Sequence, residues 1–76
     1  MPTFFIIDGV KIEFFYNDHL PPHYHASIAE YEALISIKSH KILKGSIPTK
    51  RNEWILDWSK ENEKILMEIW ESMRSK

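Results

Sequence analysis

The spacing of the apolar residues changes at Pro48, and this change most constrains the fold. Before Pro48, several short segments alternate between apolar and polar residues, which is the pattern of half-buried β-strands. After Pro48, apolar residues recur at helical spacing along one broad stripe. That stripe comprises Trp54, Ile55, Trp58, Ile65, Leu66, Ile69, Trp70 and Met73. The sequence therefore predicts an α+β fold, in which a small antiparallel β-sheet of about four to five strands is followed by one bent helix or two C-terminal helices packed on one face.

Turn and cap residues delimit these elements. FFIIDGVKIEFFY is predicted to form two strands joined at Asp8–Gly9, because both residues tolerate the positive φ of a type I′ turn. HYHASI and YEALISI are two further strands with a turn at Ala29–Glu30, and KILKG is a short strand after them. Thr49 is predicted to cap the first helix. Asn62 lies on the apolar stripe, where an unbonded amide is costly, so we expect a helix break near residues 60–62.

Length and composition limit the class of protein. A chain of 76 residues predicts one domain spanning residues 1–76, with a small core that a partner protein could complete. The absence of cysteine excludes disulfides and thiolate metal sites. No segment approaches the roughly 20 apolar residues of a membrane span, and the first residues lack the basic region of an export signal. We therefore expect a cytoplasmic protein with no membrane partner.

The charges are unevenly distributed along the chain. The net charge is -1, so the whole molecule has no general attraction for nucleic acid. Residues 38–51, however, carry five basic side chains and no acidic one. This asymmetry could direct RNA or an acidic protein to one face, and an ordinary solvated surface is the alternative. The basic residues that we expect to contact phosphate are Lys41, Lys44 and Arg51.

The segment NDHLPPHYH, residues 17–25, contains three of the four histidines of the chain. Two prolines lie between the first and second of these histidines and fix φ at successive positions, so the loop loses little entropy on ordering. In the strand that follows, apolar residues from Tyr24 onward alternate with His23 and His25. If the apolar side chains face the core, both histidines face outward, and His19 can fold back toward them.

The histidine cluster has three interpretations from the residues alone. Two imidazoles can serve as general base and general acid beside a bound phosphate, which is what metal-free RNA cleavage through the 2′-hydroxyl requires. In this interpretation the catalytic residues are His19, His23 and His25.

The second interpretation is a metal site formed by the same three histidines. Imidazoles, with Asp18 adjacent and Glu30 or Glu32 within reach, meet the ligand preferences of a divalent metal such as zinc. The spacing H-x3-H-x-H is not diagnostic, so no cofactor is certain. In the third interpretation the histidines only cap backbone groups or remain on the surface without a role.

Three stretches of the chain carry a resemblance to a known family. GVKIEFFYNDHLPPHYH, EYEALISI and ILKGSIPTKRNEWILDW resemble, in this order and spacing, the short bacterial proteins of domain-of-unknown-function family 4160. The signature of that family is an acidic residue and histidine, two prolines, His-aromatic-His, Gly-Glu-Tyr and a late tryptophan-bearing helix. The matching residues here are Asp18, His19, Pro21, Pro22, His23, Tyr24, His25, Glu30, Tyr31 and Trp58. Ala29 stands where the family usually has glycine, which affects the expected turn type.

The resemblance implies a biological role that composition and spacing do not show. Members of the family look like components of bacterial two-gene modules and are suspected toxins of toxin-antitoxin pairs. We therefore expect a toxin-like protein with a small co-encoded, antitoxin-like partner, acting on RNA through the histidine loop. The alternatives are a non-catalytic interaction module, in which the loop and a sheet edge bind a partner protein, and a metal-binding protein. The sequence leaves open whether the chain is an enzyme and whether it forms a homo-oligomer.

Overall fold

Five strands precede two helices in the computed structural model, which describes residues 3–74. The predicted α+β arrangement of an antiparallel sheet and C-terminal helices is confirmed. The elements are β1 (Thr3–Ile7), β2 (Val10–Phe14), β3 (His23–Ile28), β4 (Tyr31–Ser36), β5 (Ile42–Gly45), α1 (Thr49–Glu61) and α2 (Glu63–Ser72).

Each strand pairs antiparallel with the next one along the chain, so the order in the sheet is β1-β2-β3-β4-β5. The β1–β2 turn has positive φ at both central residues, 50° at Asp8 and 82° at Gly9, as the sequence predicted. The β3–β4 turn lies at Ala29–Glu30, also as predicted. Ala29 has a φ of 53°, a left-handed conformation that costs an L-residue about 1–2 kcal/mol.

The core lies between the two helices and one face of the sheet. Trp58 of α1 contacts Phe5 of β1 and Tyr24 of β3, with both ring centroids 6.1 Å from its own. The buried apolar residues on the sheet side include Val10, Ile12, Phe14, Tyr24, Ala26, Ala33 and Ile35. Ile55, Leu66 and Trp70 are buried on the helices, as the stripe predicts, whereas Ile65 is exposed.

The helices begin and end close to the predicted positions. Of the two alternatives in the prediction, two helices are observed, and the break lies at Asn62. The side-chain amide of Asn62 donates a hydrogen bond of 2.8 Å to the Trp58 carbonyl oxygen, which satisfies this polar group at the break. Neither helix, within residues 3–74, has the length and hydropathy needed to cross a membrane.

The predicted N-cap of α1 is wrong by one residue. Pro48 occupies the cap position with φ −54° and ψ 141°, and Thr49 is already helical. The backbone N–H groups of Arg51 and Asn52 both donate to the Pro48 carbonyl oxygen. Proline has no side-chain acceptor for the N–H groups of the first turn, so the helix begins without a side-chain cap.

Candidate functional site

His23 is buried, which corrects the expectation that it faces solvent. Only 1% of the residue is exposed, and its ring centroid lies 5.3 Å from that of Trp70 in α2. Alternation along β3 does separate His23 from Tyr24, but it cannot show what packs against His23. Here Trp70 of α2 and the loop residues Asp18 and Pro21 contact its side chain.

Two hydrogen bonds join the histidine loop to the end of α2. The backbone N–H of Asn17 donates to the Met73 carbonyl oxygen at 2.8 Å. The guanidinium of Arg74 donates to the Asp18 carbonyl oxygen at 3.0 Å. The loop is therefore fixed by residues at the far end of the chain as well as by its prolines.

Asp18 is the centre of the histidine cluster. Its Oδ2 lies 3.0 Å from the Nε2 of His23 and 3.0 Å from the Nε2 of His25. Its Oδ1 accepts a hydrogen bond of 3.0 Å from the backbone N–H of His19. Sequence reasoning gave Asp18 as an acid adjacent to the three imidazoles and as the acid of the family signature, but did not place it at their centre. The position of Asp18 could have been inferred from the sequence, because the loop turns back before β3 and brings this acid toward the first residues of that strand.

The pKa of Asp18 reflects two opposing effects. Burial of the carboxyl group raises the pKa by disfavouring the charged form. Hydrogen bonds from the His25 side chain and the His19 backbone, together with the charges of His23 and His25, lower it. The lowering effects prevail, so the pKa lies below its ordinary value of 3.8 and the carboxylate is ionised at neutral pH.

The Nδ1 atom of His23, which does not face Asp18, shows where the ring carries a proton. Nδ1 lies 2.7 Å from the Pro21 carbonyl oxygen. Because a carbonyl oxygen can only accept, this nitrogen carries a proton and donates. Nε2 therefore either carries a second proton or presents a lone pair to Asp18.

His25 and His19 are the accessible histidines of the cluster. The His25 side chain is 19% exposed, and its ring meets that of Phe15 edge-on with centroids 4.5 Å apart. The His19 side chain is 77% exposed, and its Nδ1 lies 3.1 Å from Oδ1 of Asp18. Both histidines line a groove of 580 Å³, together with Phe15, Glu32, Leu34, Lys44 and Gly45.

The strand register explains why Lys44 lies in the same groove as His25. His25 pairs with Leu34 across β3 and β4, and Leu34 pairs with Lys44 across β4 and β5. Directly paired residues project from the same face, so the three side chains form a row across the sheet. Neighbouring strands are about 4.8 Å apart, which places the backbones of His25 and Lys44 about 10 Å from each other.

The other two predicted phosphate ligands lie elsewhere. Arg51 pairs through Nη1 with Oδ2 of Asp8 at 3.1 Å, and it also donates to the Asp8 carbonyl oxygen. This turn is at the end of the sheet opposite the histidine loop, so the structure does not bring Arg51 to the cluster. Lys41 is exposed just before β5 and is not part of the groove lining.

The residues that could hold a metal differ from the predicted set. One ligand atom each from Asp18, His23 and His25 lies within 4.8 Å of the others, and these residues are the only such group of three within residues 3–74. His19 is outside the group, although its ring centroid is 5.3 Å from that of His23. The structure thus offers one carboxylate and two imidazoles, where the sequence suggested three imidazoles.

Comparison with known proteins identifies a family. The family model described as Domain of unknown function (DUF4160) matches residues 9–71, a range that includes the histidine loop, the groove, all of α1, and all of α2 except its last residue. No curated protein and no solved structure matches the chain. Because the family model covers most of the sequence, the chain belongs to the DUF4160 family.

Proposed function

We propose that this protein is the toxin-like component of a bacterial toxin-antitoxin module and that it cleaves RNA in the groove. The observation that supports this proposal is the grouping of two accessible imidazoles, His19 and His25, with the ammonium group of Lys44 around one groove. These are the groups that metal-free cleavage of a phosphodiester needs. The module itself is supported only by the family resemblance.

In the proposed reaction His25 is the general base and His19 the general acid. The Nε2 of His25 faces Asp18, so Nδ1 accepts the proton of the 2′-hydroxyl. The 2′-oxygen then bonds to phosphorus, and the bond between phosphorus and the 5′-oxygen breaks as His19 donates a proton to that oxygen. The products are a 2′,3′-cyclic phosphate and a 5′-hydroxyl, and Lys44 stabilises the negative charge that develops on the phosphoryl oxygens.

His23 has a different role in this proposal from the one that the sequence suggested. A residue that is 1% exposed cannot reach an RNA phosphate, so His23 does not exchange protons with the substrate. It contacts Asp18, which in turn contacts His25. We therefore assign His23 as a positioning residue that holds the carboxylate in place.

Induced expression in a bacterial host tests the proposal. The wild-type protein should arrest growth and produce discrete RNA fragments. His25→Ala and His19→Ala should each relieve the arrest, because loss of one acid-base group usually lowers a rate by about 10² or more. Lys44→Ala should weaken activity, whereas Lys41→Ala is a matched control outside the groove and should remain toxic.

Two results would count against this function. A harmless wild-type protein with intact cellular RNA would remove the support for catalysis. Growth arrest that is equally strong in soluble His25→Ala would leave the toxin assignment but refute the proposed site. Immunoblotting of each variant at matched expression separates lost activity from lost protein.

The edge strand β1 favours a second candidate, a non-catalytic interaction module. β1 lies at one edge of the sheet, and its Phe4 and Ile6 side chains are 55% and 66% exposed. Exposed apolar residues on an unpaired edge are typical of a site where another chain adds a strand. If this candidate is correct, Phe4→Ser with Ile6→Ser should abolish co-purification with the protein encoded beside it, and His25→Ala should not.

A further inference from the structure

We propose that Asp18, His23 and His25 form a binding site for a divalent transition-metal cation and that His19 is not a ligand. The three ligands would be Oδ2 of Asp18 and the Nε2 atoms of both histidines. Oδ2 already lies 3.0 Å from each of these nitrogens. One carboxylate and two imidazoles are a ligand set that zinc and other first-row metals accept.

The hydrogen bond from His23 to Pro21 supports this site. Nδ1 donates to the carbonyl oxygen, so the lone pair of a neutral His23 lies on Nε2 and faces the carboxylate. A lone pair 3.0 Å from a carboxylate oxygen is repulsive unless a proton or a cation lies between them. A backbone carbonyl that fixes the tautomer of a histidine is also the usual outer contact of a metal ligand.

Packing holds His23 ready for coordination. Its ring is buried against Trp70, with centroids 5.3 Å apart, and Nδ1 is held by its hydrogen bond to the Pro21 carbonyl oxygen. The ring therefore loses little freedom when it binds a cation. Asp18 is similarly fixed, because the backbone of His19 and the Arg74 guanidinium both bond to it.

The distances fit a cation once His25 moves closer to His23. Bonds of about 2.1 Å to a tetrahedral zinc ion place the ligand atoms about 3.4 Å apart. The two 3.0 Å separations from Oδ2 are close to this value, whereas the three ligand atoms lie within 4.8 Å of one another, so the two Nε2 atoms must approach by up to about 1.4 Å. His25 can supply this movement by rotation, since its side chain is partly exposed.

Cation binding has a consequence that rests on the proposed function. An imidazole that coordinates through Nε2 keeps its proton on Nδ1, so His25 could no longer accept the proton of a 2′-hydroxyl. The metal-loaded protein should therefore be inhibited in RNA cleavage. Binding itself does not depend on that reaction, so it can be measured separately.

Calorimetric titration of chelator-treated protein with Zn²⁺ tests the site. We expect saturable binding with one cation per chain. His25→Ala and Asp18→Asn should each weaken binding by at least about tenfold, because even mutation of a residue that only contacts a metal ligand lowers metal affinity by about that factor. His19→Ala is the matched control and should bind within about twofold of the wild type. Co²⁺ should give an absorption spectrum of nitrogen and oxygen coordination that His25→Ala loses.

These outcomes distinguish a failure of the metal site from a failure of the proposed RNA cleavage. No saturable zinc binding, or equal binding by folded His25→Ala, would overturn the metal site. An equal loss in His19→Ala and His25→Ala would overturn the ligand set. Zinc binding by a protein that is inactive on RNA would support the metal site and refute the proposed function. Zinc binding without inhibition of an active protein would overturn the inhibitory role.

Discussion

Replacement of His23 by alanine should be the most destabilising change in the histidine loop. The side chain is buried, hydrogen-bonds to the Pro21 carbonyl oxygen and contacts the Asp18 carboxylate. A neutral hydrogen bond contributes about 1 kcal/mol and one to a charged group about 1.5–3 kcal/mol. Loss of packing against Trp70 adds to these terms, so we expect a loss of about 3–5 kcal/mol in the free energy of unfolding.

That loss is large for a chain of this length. At about 0.05–0.15 kcal/mol per residue, 76 residues have a total stability of about 4–11 kcal/mol. A domain of this size shifts its melting temperature by about 4–8 °C per kcal/mol, so His23→Ala should lower it by about 12 °C or more. His23→Asn, which can keep a donor near the Pro21 carbonyl oxygen, should lose less.

Thermal denaturation followed by circular dichroism measures the effect. His19→Ala is the matched control, because its side chain is 77% exposed and its loss should change stability by no more than about 0.5 kcal/mol. His25→Ala should lie between the two. A His23→Ala protein that melts within about 2 °C of the wild type would refute the burial on which this reasoning depends.

Three further predictions concern the partly buried Asp18 and residues with positive φ. Asp18 has a lowered pKa in the folded state, so its stabilising effect is present above the unfolded pKa and is lost as the pH falls through the folded one. Asp18→Asn should therefore be less stable than the wild type at neutral pH, with a difference in denaturation midpoint that disappears in strong acid; a constant difference would contradict this. Gly45→Ala should cost about 2–5 kcal/mol, because its φ is 82° and a Cβ would collide with the Glu32 carbonyl oxygen. Gly9→Ala has the same φ, but its Cβ would make only an ordinary 3.8 Å contact with the Arg51 guanidinium; it should cost about 1–2 kcal/mol, and equal losses in urea denaturation would argue against the collision at Gly45. Ala29→Gly should raise the free energy of unfolding by up to about 1 kcal/mol, since relief of left-handed strain exceeds the added entropy of glycine; a lower value in urea denaturation would contradict this.

Features with a local cause could be predicted from the sequence. The Asp8–Gly9 turn follows from two residues that tolerate positive φ, and the limits of β3 follow from period-two alternation. The helix break at Asn62 follows from one amide on an apolar stripe. Each depends on neighbouring residues only, so the pattern contains the required information.

Features that depend on distant contacts could not be predicted in this way. His23 is buried because α2 covers the histidine loop, and one of the bonds that fix this contact joins Arg74 to Asp18, 56 residues apart. Lys44 lies in the groove and Arg51 does not, because the β4–β5 register decides which cation shares a row with His25. Alternation gives the side of a strand on which a residue lies, but neither its cover nor its neighbours on other strands.

Cleavage of RNA by the purified protein tests the central claim most directly. Labelled single-stranded RNA should be incubated with wild-type protein in the presence of a chelator, and the product ends should be identified. We predict fragments with 2′,3′-cyclic phosphate and 5′-hydroxyl ends, formed at least about 100-fold more slowly by His25→Ala and at the wild-type rate by Lys41→Ala. Intact RNA with folded wild-type protein, or equal rates for wild type and His25→Ala, would contradict the claim that His25 in this groove cleaves RNA.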